Sequence, residues 1–548
     1  MKKMTVSLLC ILSVAVAICQ APNQVAIIPE PVKMVQNAGT FTLPKTIIIE
    51  APDIAGLQQT INFLQQRLSV PTGYSVTIAG QSSTPTIKLL INKTADASIG
   101  NEGYQLSVKP EVITITANAP AGLFYGVQSL VQLFPKEIES DALVQQAQWQ
   151  VPCVEITDYP RFGWRGLMFD VSRHFFTKNE VKDFIDQMAR FKFNLLHWHL
   201  TDDEGWRIEI KSLPNLTKKG AWRADKTGYF GTFSKPLPDE PLTYGGFYTQ
   251  EDIKEVIQYA KDRFVNILPE VDVPGHSLAA VASYPELSCT QGAENYRVGS
   301  GEKIMEWHGN GTFSAINDNS LCPANEKVYT FLDKVFTEVA ALFPFEYIHV
   351  GGDECAKNFW EKSVAVKELM KKEGLKNMHE VQGYFEKRVG KIIASKGKKL
   401  IGWDEILEGG LADDAAVMSW RGEKGGIEAA KLKHEVVMSP TTFAYLDYMQ
   451  SDVITEPRIY ATLRLNKTYQ FEPVPPGVDA KYIKGGQGNI WTEQITNTRY
   501  LQYMTWPRAF AVAESVWSPK EKKNWNNFVQ KVEQQFKRYD IRQIKYAP

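Results

Sequence analysis

The chain is poor in the residues that build stapled or metal-clipped folds. It has six cysteines in 548 residues, none in a CxxC pair or a zinc-ribbon spacing, so neither a disulfide framework nor a zinc module is indicated. It also lacks an excess of charge, since Lys+Arg 61 against Asp+Glu 62 leaves −1. That balance offers no electrostatic footprint for nucleic acid, and no acidic tail or basic helix points to a membrane surface. After the first 21 residues no apolar run reaches the roughly 18 residues needed to span a bilayer, so no integral span is expected.

What is present is an ordinary globular composition, 44% hydrophobic and 22% charged. At roughly 150 residues per domain, with a barrel counted as one larger unit, the length suggests two or three domains. Aromatics reach 11% with 13 Trp, which fits either a large aromatic core or a ligand that needs flat apolar faces. Lys2 and Lys3 precede the apolar stretch Thr5 to Ile18, so residues 1–21 read as a secretory signal and the protein as exported. It would then be periplasmic, secreted or, less favoured, lipid-anchored through Cys19, because Ile18 stands where a small residue is wanted. Cys153, Cys289, Cys322 and Cys355 remain beyond the signal. Cys289 and Cys322 bracket a Gly/Asn-rich segment and either close it as a disulfide or stay thiols.

Residues 22–157 carry β-branched runs at 46–50, 86–91, 104–108 and 112–116, with helical spacing at 54–68 and 121–133. They predict a small α+β domain with no cluster of ionisable residues. From Trp164 the texture changes. Strand-like runs at 164–169, 194–200, 266–271, 347–350, 399–403, 416–420, 435–439 and 485–491 alternate with amphipathic stretches at 178–190, 251–262, 326–341, 380–396 and 426–432. Strands alternating with helices in this way predict a (β/α)8 barrel over 158–520, with a short helical tail at 521–548. Two further segments stand out: a lysine-rich helix at 357–372 and a long, mobile loop at 301–319.

In such a barrel the chemistry lies at the carboxyl ends of the strands. Here those ends read Asp170-Val171-Ser172-Arg173, His197-Trp198-His199, Glu270-Val271-Asp272 and Gly351-Gly352-Asp353-Glu354. The later ones read Trp403-Asp404-Glu405, Trp420-Arg421, Tyr445-Leu446-Asp447 and Trp491-Thr492-Glu493. The adjacent Asp353 and Glu354 are the sharpest element. Close carboxyls cannot both ionise cheaply, so one is pushed up and becomes a proton donor. His197 and His199, with His276 and Asp353, invite a metal reading; residues two apart on a strand share a face, however, and packed barrel interior is the stronger reading. Indoles at the mouth of a barrel suit the apolar faces of a sugar, and acids with Arg173 suit its hydroxyls.

These residues resemble the family 20 glycoside hydrolases, the β-N-acetylhexosaminidases. The resemblance runs from Ile27-Ile28-Pro29-Glu30-Pro31 to Trp506-Pro507-Arg508. It rests most on Trp164-Arg165-Gly166, on Asp170 to Phe175, on the runs 197–206 and 269–276, and on 349–354. It implies an exo-acting retaining hydrolase of terminal β-linked N-acetylhexosamine on oligosaccharides or glycoconjugates, with no cofactor and no metal, whose nucleophile is the substrate's own acetamido group. By the same resemblance Glu354 is the acid/base, Asp353 and Tyr445 hold the acetamido group, and Trp403, Trp420 and Trp491 wall the pocket. Arg173, Asp447 and Glu493 take ring hydroxyls, and Asp202, His276 and Asp272 support the acids. Glu204 departs from the family's usual Gln and would add a charge near the mouth. The loop at 301–319 would shape the leaving-group side.

Overall fold

The computed structural model describes residues 25–309, 312–412 and 414–548; the expected signal segment, Cys10 and Cys19 lie outside them. The N-terminal part is one mixed sheet of seven strands. Its two helices, Gln58–Ser69 and Pro120–Leu133, pack on each other and on the sheet. Strict alternation in Ile113–Ala117 buries Ile113, Ile115 and Ala117 and turns Thr114 and Thr116 away, as a half-buried strand requires. Three strands have no clear sequence signal: Lys33–Thr42, Ser75–Ala79 and Gln150–Asp158. Lys33–Thr42 is an edge strand, mostly exposed and broken by an irregularity between Gln36 and Thr40, so it shows no apolar period.

Eight parallel strands then close into a barrel in chain order. They are Trp164–Asp170, Leu195–His199, Asn266–Glu270, Tyr347–His349, Lys399–Trp403, Ala416–Ser419, Val436–Met438 and Ile483–Ile490. The eighth pairs with the first from Gly485 against Trp164 to Ile490 against Phe169. The (β/α)8 expectation holds, with one gap: a short 3-10 turn, Asp404–Leu407, replaces the helix after the fifth strand. The helices after the first two strands start in capping boxes, Thr177 with Glu180 and Thr249 with Asp252, each cap worth about 1 kcal/mol.

The two-residue period sorts every strand into an inner and an outer face. Trp164, Met168, Leu195, Leu268, Tyr347 and Trp403 meet inside the barrel, while Trp198 points outward onto Tyr248 with ring centroids 4.7 Å apart. His197 and His199 therefore lie in the barrel interior.

Two expectations need correction. The lysine-rich helix begins only at Val364, because Ser363 takes an extended conformation and its hydroxyl accepts from the Val366 N–H, so the helix is Val364–Glu373 and Lys357 and Lys362 precede it. Within 301–319, Met305–Trp307 and Phe313–Ala315 form an antiparallel hairpin where a loop was expected. Cys289 and Cys322 are joined as a disulfide with Cα atoms 4.9 Å apart, and the bond closes the segment that carries this hairpin. The C-terminal helix Trp525–Arg542 folds back on the N-terminal domain, where Arg538 donates to the Gln132 carbonyl at 2.7 Å. Among the described residues no helix is long and apolar enough to cross a membrane.

Candidate active site

The carboxyl ends of the strands surround a cavity of about 770 Å3. Asp353, Glu354, His276, Arg173, Trp420 and Trp491 line it, as do Tyr445 and Glu493. Trp403, Asp202, Asp272 and Asp447 are buried around this lining rather than in it.

The backbone at the acid pair is unusual. Among the described residues six non-glycine residues have positive φ, and four of them, Lys192, Phe264, Lys433 and Gln543, sit just past helix ends, where that conformation is common. The other two are His276 at 46° and Glu354 at 41°, and both belong to the cavity. Gly351 at φ 67° leads into the pair, and a Cβ there would stand 1.8 Å from Asp272 Oδ1. Asp272 instead uses that oxygen to accept from the Gly352 N–H at 3.3 Å, which sets the turn that presents Asp353 and Glu354.

Behind the pair runs a chain of alternating charge. Glu270 Oε2 lies 2.5 Å from His199 Nδ1, and His199 Nε2 lies 2.8 Å from Asp202 Oδ2. Asp202 Oδ1 accepts from His276 Nδ1 at 3.0 Å, and His276 Nε2 faces Glu354 Oε2 at 3.5 Å and Asp353 Oδ2 at 3.8 Å. Burial opposes a charged imidazole at both histidines, but the Glu270 and Asp202 carboxylates outweigh it and hold His199 and His276 well above the ordinary range. His197 goes the other way, to about 4, because burial dominates there.

This arrangement splits the residues of the metal reading. His197 and His199 turn to Glu270 at 3.0 and 2.5 Å, whereas His276 and Asp353 face each other beyond Asp202, and both ring nitrogens of His199 are spent on carboxylates.

In and just behind the cavity lining, several acids are short of partners. Asp353 Oδ1, both oxygens of Asp447 and Glu493 Oε2 are buried with no hydrogen-bond donor. Burial, with neighbouring acids, raises Asp353 to about 6 and pushes Asp447 well above the usual carboxylate range. The carboxyl that burial raises is therefore Asp353, so the expectation that a raised carboxyl marks the proton donor does not support Glu354 in that role. Arg173 crosses the Trp491 ring at 4.9 Å and reaches Asp202 at 2.8 Å, Asp170 at 3.3 Å and Glu204 at 3.4 Å. Glu204 is itself buried beside Asp202, and burial pushes it far above the ordinary range. Burial and the neighbouring Asp202 thus disfavour the charge that was expected at Glu204, while Arg173 opposes them.

The tryptophans are anchored from behind. Trp403 Nε1–H donates to Glu270 Oε1 at 3.0 Å, and its ring lies 5.8 Å from that of Trp491. Trp420 donates to Glu405 Oε2 at 2.8 Å and stacks on Tyr445 at 6.0 Å. Glu270 and Glu405 had no role in the sequence reading, although both sit at strand ends, the position that flags such residues. Tyr448, Tyr460, Met305 and Trp307 also line the cavity. Met305 and Trp307 lie in the 301–319 segment expected to shape the leaving-group side, whereas Tyr448 and Tyr460 come from an excursion whose residues follow no period and were not singled out.

Comparisons with known proteins identify the family. Residues 162–520 match "Glycosyl hydrolase family 20, catalytic domain" and residues 24–159 match "Glycosyl hydrolase family 20, domain 2". A β-hexosaminidase of Porphyromonas gingivalis is 38% identical over 95% of this chain, which spans 64% of that protein's length. A β-N-acetylhexosaminidase of Cellulomonas fimi is 32% identical over 93% of both chains. The structure of a mutant Streptomyces plicatus β-hexosaminidase in complex with product GlcNAc is 31% identical, with a TM-score of 0.81 over 95% of this chain and 96% of that one. Fold and likeness define the class, a barrel glycoside hydrolase with a companion α+β domain. Within that class the chain belongs to glycosyl hydrolase family 20.

Proposed function

We propose that the protein is an exo-acting, retaining β-N-acetylhexosaminidase that removes terminal non-reducing β-linked GlcNAc or GalNAc with help from the substrate's 2-acetamido group. The observation that carries this reading is the pair itself: Asp353 and Glu354 share His276, and Asp353 keeps a buried oxygen free for a donor. Asp353 accepts the acetamido N–H, Tyr445 donates to its carbonyl oxygen, and that oxygen attacks C1. As the C1–O bond breaks, Glu354 gives its proton to the leaving oxygen. Water then attacks C1 of the oxazolinium intermediate and loses its proton to Glu354, which restores both enzyme and β-configuration. The orphaned oxygens of Asp447 and Glu493 take ring hydroxyls, Arg173 is held against Trp491 beside them, and Trp420 and Trp491 face the ring with Trp403 beneath. Export through residues 1–21 is part of the proposal, and the Cys289–Cys322 bond suits an oxidising compartment.

The test compares an aryl β-N-acetylglucosaminide with the aryl β-glucoside, each with and without EDTA. Cleavage of the first alone, indifferent to chelator, is expected. Equal cleavage of both would mean that the protein supplies its own nucleophile, and loss on chelation would restore the metal reading.

A further inference from the structure

The helix Met378–Ser395, between the fourth and fifth strands, buries a stripe of Gln382, Phe385, Glu386, Val389 and Ile393. A helix that only packs would fill such a stripe with apolar residues. Here Gln382 and Glu386, one turn apart, are polar and each more than nine-tenths buried. Burial raises the Glu386 carboxyl to about 7.

Gln382 spends its amide on the turn that carries the acid pair. Its Nε2 donates to the Gly352 carbonyl and to Glu386 Oε1, both at 2.7 Å. Its Oε1 accepts from Lys357 Nζ, so the first lysine of the 357–372 run has a partner beside the site. The hydrogen bonds of the two glycines before the pair can be followed one by one. The Gly351 N–H donates to His349 Nδ1 at 3.1 Å, and the Gly351 carbonyl accepts from the Trp403 N–H at 2.8 Å. The Gly352 N–H donates to Asp272 at 3.3 Å. Three of these four groups are held by barrel strands or their ends, and the fourth, the Gly352 carbonyl, by a helix side chain. That carbonyl shares its rigid peptide plane with the Asp353 nitrogen. Fixing it sets the backbone entering Asp353 and, one residue on, the positive φ of Glu354. The helix is itself held close. A Cβ on Gly383 would stand 2.1 Å from the Gly409 carbonyl oxygen, so the helix backbone lies directly on the turn after the fifth strand.

We propose that Gln382, oriented by Glu386 and Lys357, is a positioning residue that fixes the Gly352–Asp353 peptide and so aims both acids at the substrate. Glu386 takes one amide hydrogen and Lys357 occupies the amide oxygen, which leaves the other hydrogen directed at Gly352 and opposes a flip of the amide. Lys357 and Lys387 favour the ionised form of Glu386, and Glu408, on the turn after the fifth strand, opposes it. Placement matters at this point because a shift of about 1 Å in a reacting group can cost about 10²-fold in rate.

This inference rests on the hydrolase reading above, and the test separates the two. Rates per folded enzyme are measured on the β1,4-linked disaccharide of GlcNAc and on the β-fluoride of GlcNAc, whose leaving group is one atom. Affinity is measured for the thiazoline fused at C1 and C2 of GlcNAc, a stable mimic of the oxazolinium. Gln382→Leu strands the Gly352 carbonyl. Its kcat is expected to fall about 10–100-fold on both substrates, with KM changed less than about twofold and thiazoline binding weakened by a factor similar to the loss in kcat. Gln382→Glu regains a donor for Gly352 only while its new carboxyl is protonated. Its kcat relative to wild type is therefore expected to fall as pH rises from about 5 to about 8. An unchanged kcat in Gln382→Leu, or a loss confined to KM, overturns the positioning role. If that variant does not fold, a ratio independent of pH in Gln382→Glu overturns it instead. A wild type that cleaves neither substrate and does not bind the thiazoline overturns the hydrolase reading itself.

Discussion

The two ends of the barrel differ in where buried acids are left without donors, although a matched chain from Glu270 to His276 also runs behind the carboxyl end. At the amino end, where the N-terminal domain docks, charges are matched: Lys192 Nζ lies 2.8 Å from Asp158 Oδ2, Trp517 donates to Asp158 Oδ1 at 2.9 Å, and Arg165 reaches Glu102 at 2.6 Å. At the carboxyl end Asp353, Asp447 and Glu493 each keep at least one buried oxygen without a donor. A buried acid with no partner costs free energy, so a site that holds three of them is arranged for donors that arrive with a ligand. The matched end holds the protein together, and the unmatched end is where it binds.

The sharpest way to break this contrast is at the acid. Glu354→Gln is expected to lower kcat on the disaccharide by about 10²–10⁴-fold, the usual worth of acid assistance, and to affect the glycosyl fluoride far less. Steady-state kinetics on both substrates check this, and equal losses would contradict the acid role. At the matched end Lys192→Met strands the Asp158 carboxylate in a fully buried setting and is expected to cost about 3–5 kcal/mol of stability, with kcat/KM of the folded enzyme unchanged. Denaturant melts and active-site-normalised rates read the two separately.

Asp353→Asn sharpens the comparison, because it should damage function and relieve the fold at once. A carboxyl held at about 6 instead of 3.8 binds its proton more tightly folded than unfolded, so its cost is absent below pH 3.8, grows as pH rises and is complete above 6. The variant is expected to lose most of its kcat yet to be more stable than wild type at pH 7, by up to about 3 kcal/mol, with the gain gone near pH 4. Melting temperatures across that range decide it. Wild-type kcat/KM should also fall as pH drops below about 6, since a protonated Asp353 is a weaker acceptor for the acetamido N–H and no longer offers the negative charge that steadies the oxazolinium. The smallest effect is expected from Glu204→Gln, about twofold in kcat/KM at pH 7, because an amide of nearly the same shape replaces a carboxyl whose charge burial disfavours.

Much of this was legible in the sequence wherever a period or a strand end marked it. The barrel strands, the acid pair, Arg173 and the three tryptophans all follow from alternation and from which residues end each run. His197 and His199 were correctly placed inside by the two-residue period, with Trp198 outside. What stayed hidden depends on contacts between distant segments. Glu270 gains its meaning from three histidines and Trp403 on other strands, and Gln382 from the Gly352 carbonyl thirty residues earlier in the chain. The upward shift of Glu204 comes from its own burial and then from the Asp202 charge beside it, which no local pattern records.

The Cys289–Cys322 bond has a consequence for how the protein is made. It closes the segment that carries the hairpin, and that segment also braces the inner pocket: the Asn319 amide donates to Asp203 Oδ2 at 2.9 Å and the Asn319 backbone carbonyl accepts from the Ser277 N–H at 2.9 Å, next to His276. Protein matured in a reducing cytosol would have a slack outer wall and a less firmly braced His276. Two preparations with one sequence could then differ on a small test substrate and more so on a real glycan, and the compartment of folding would set the specificity that is measured.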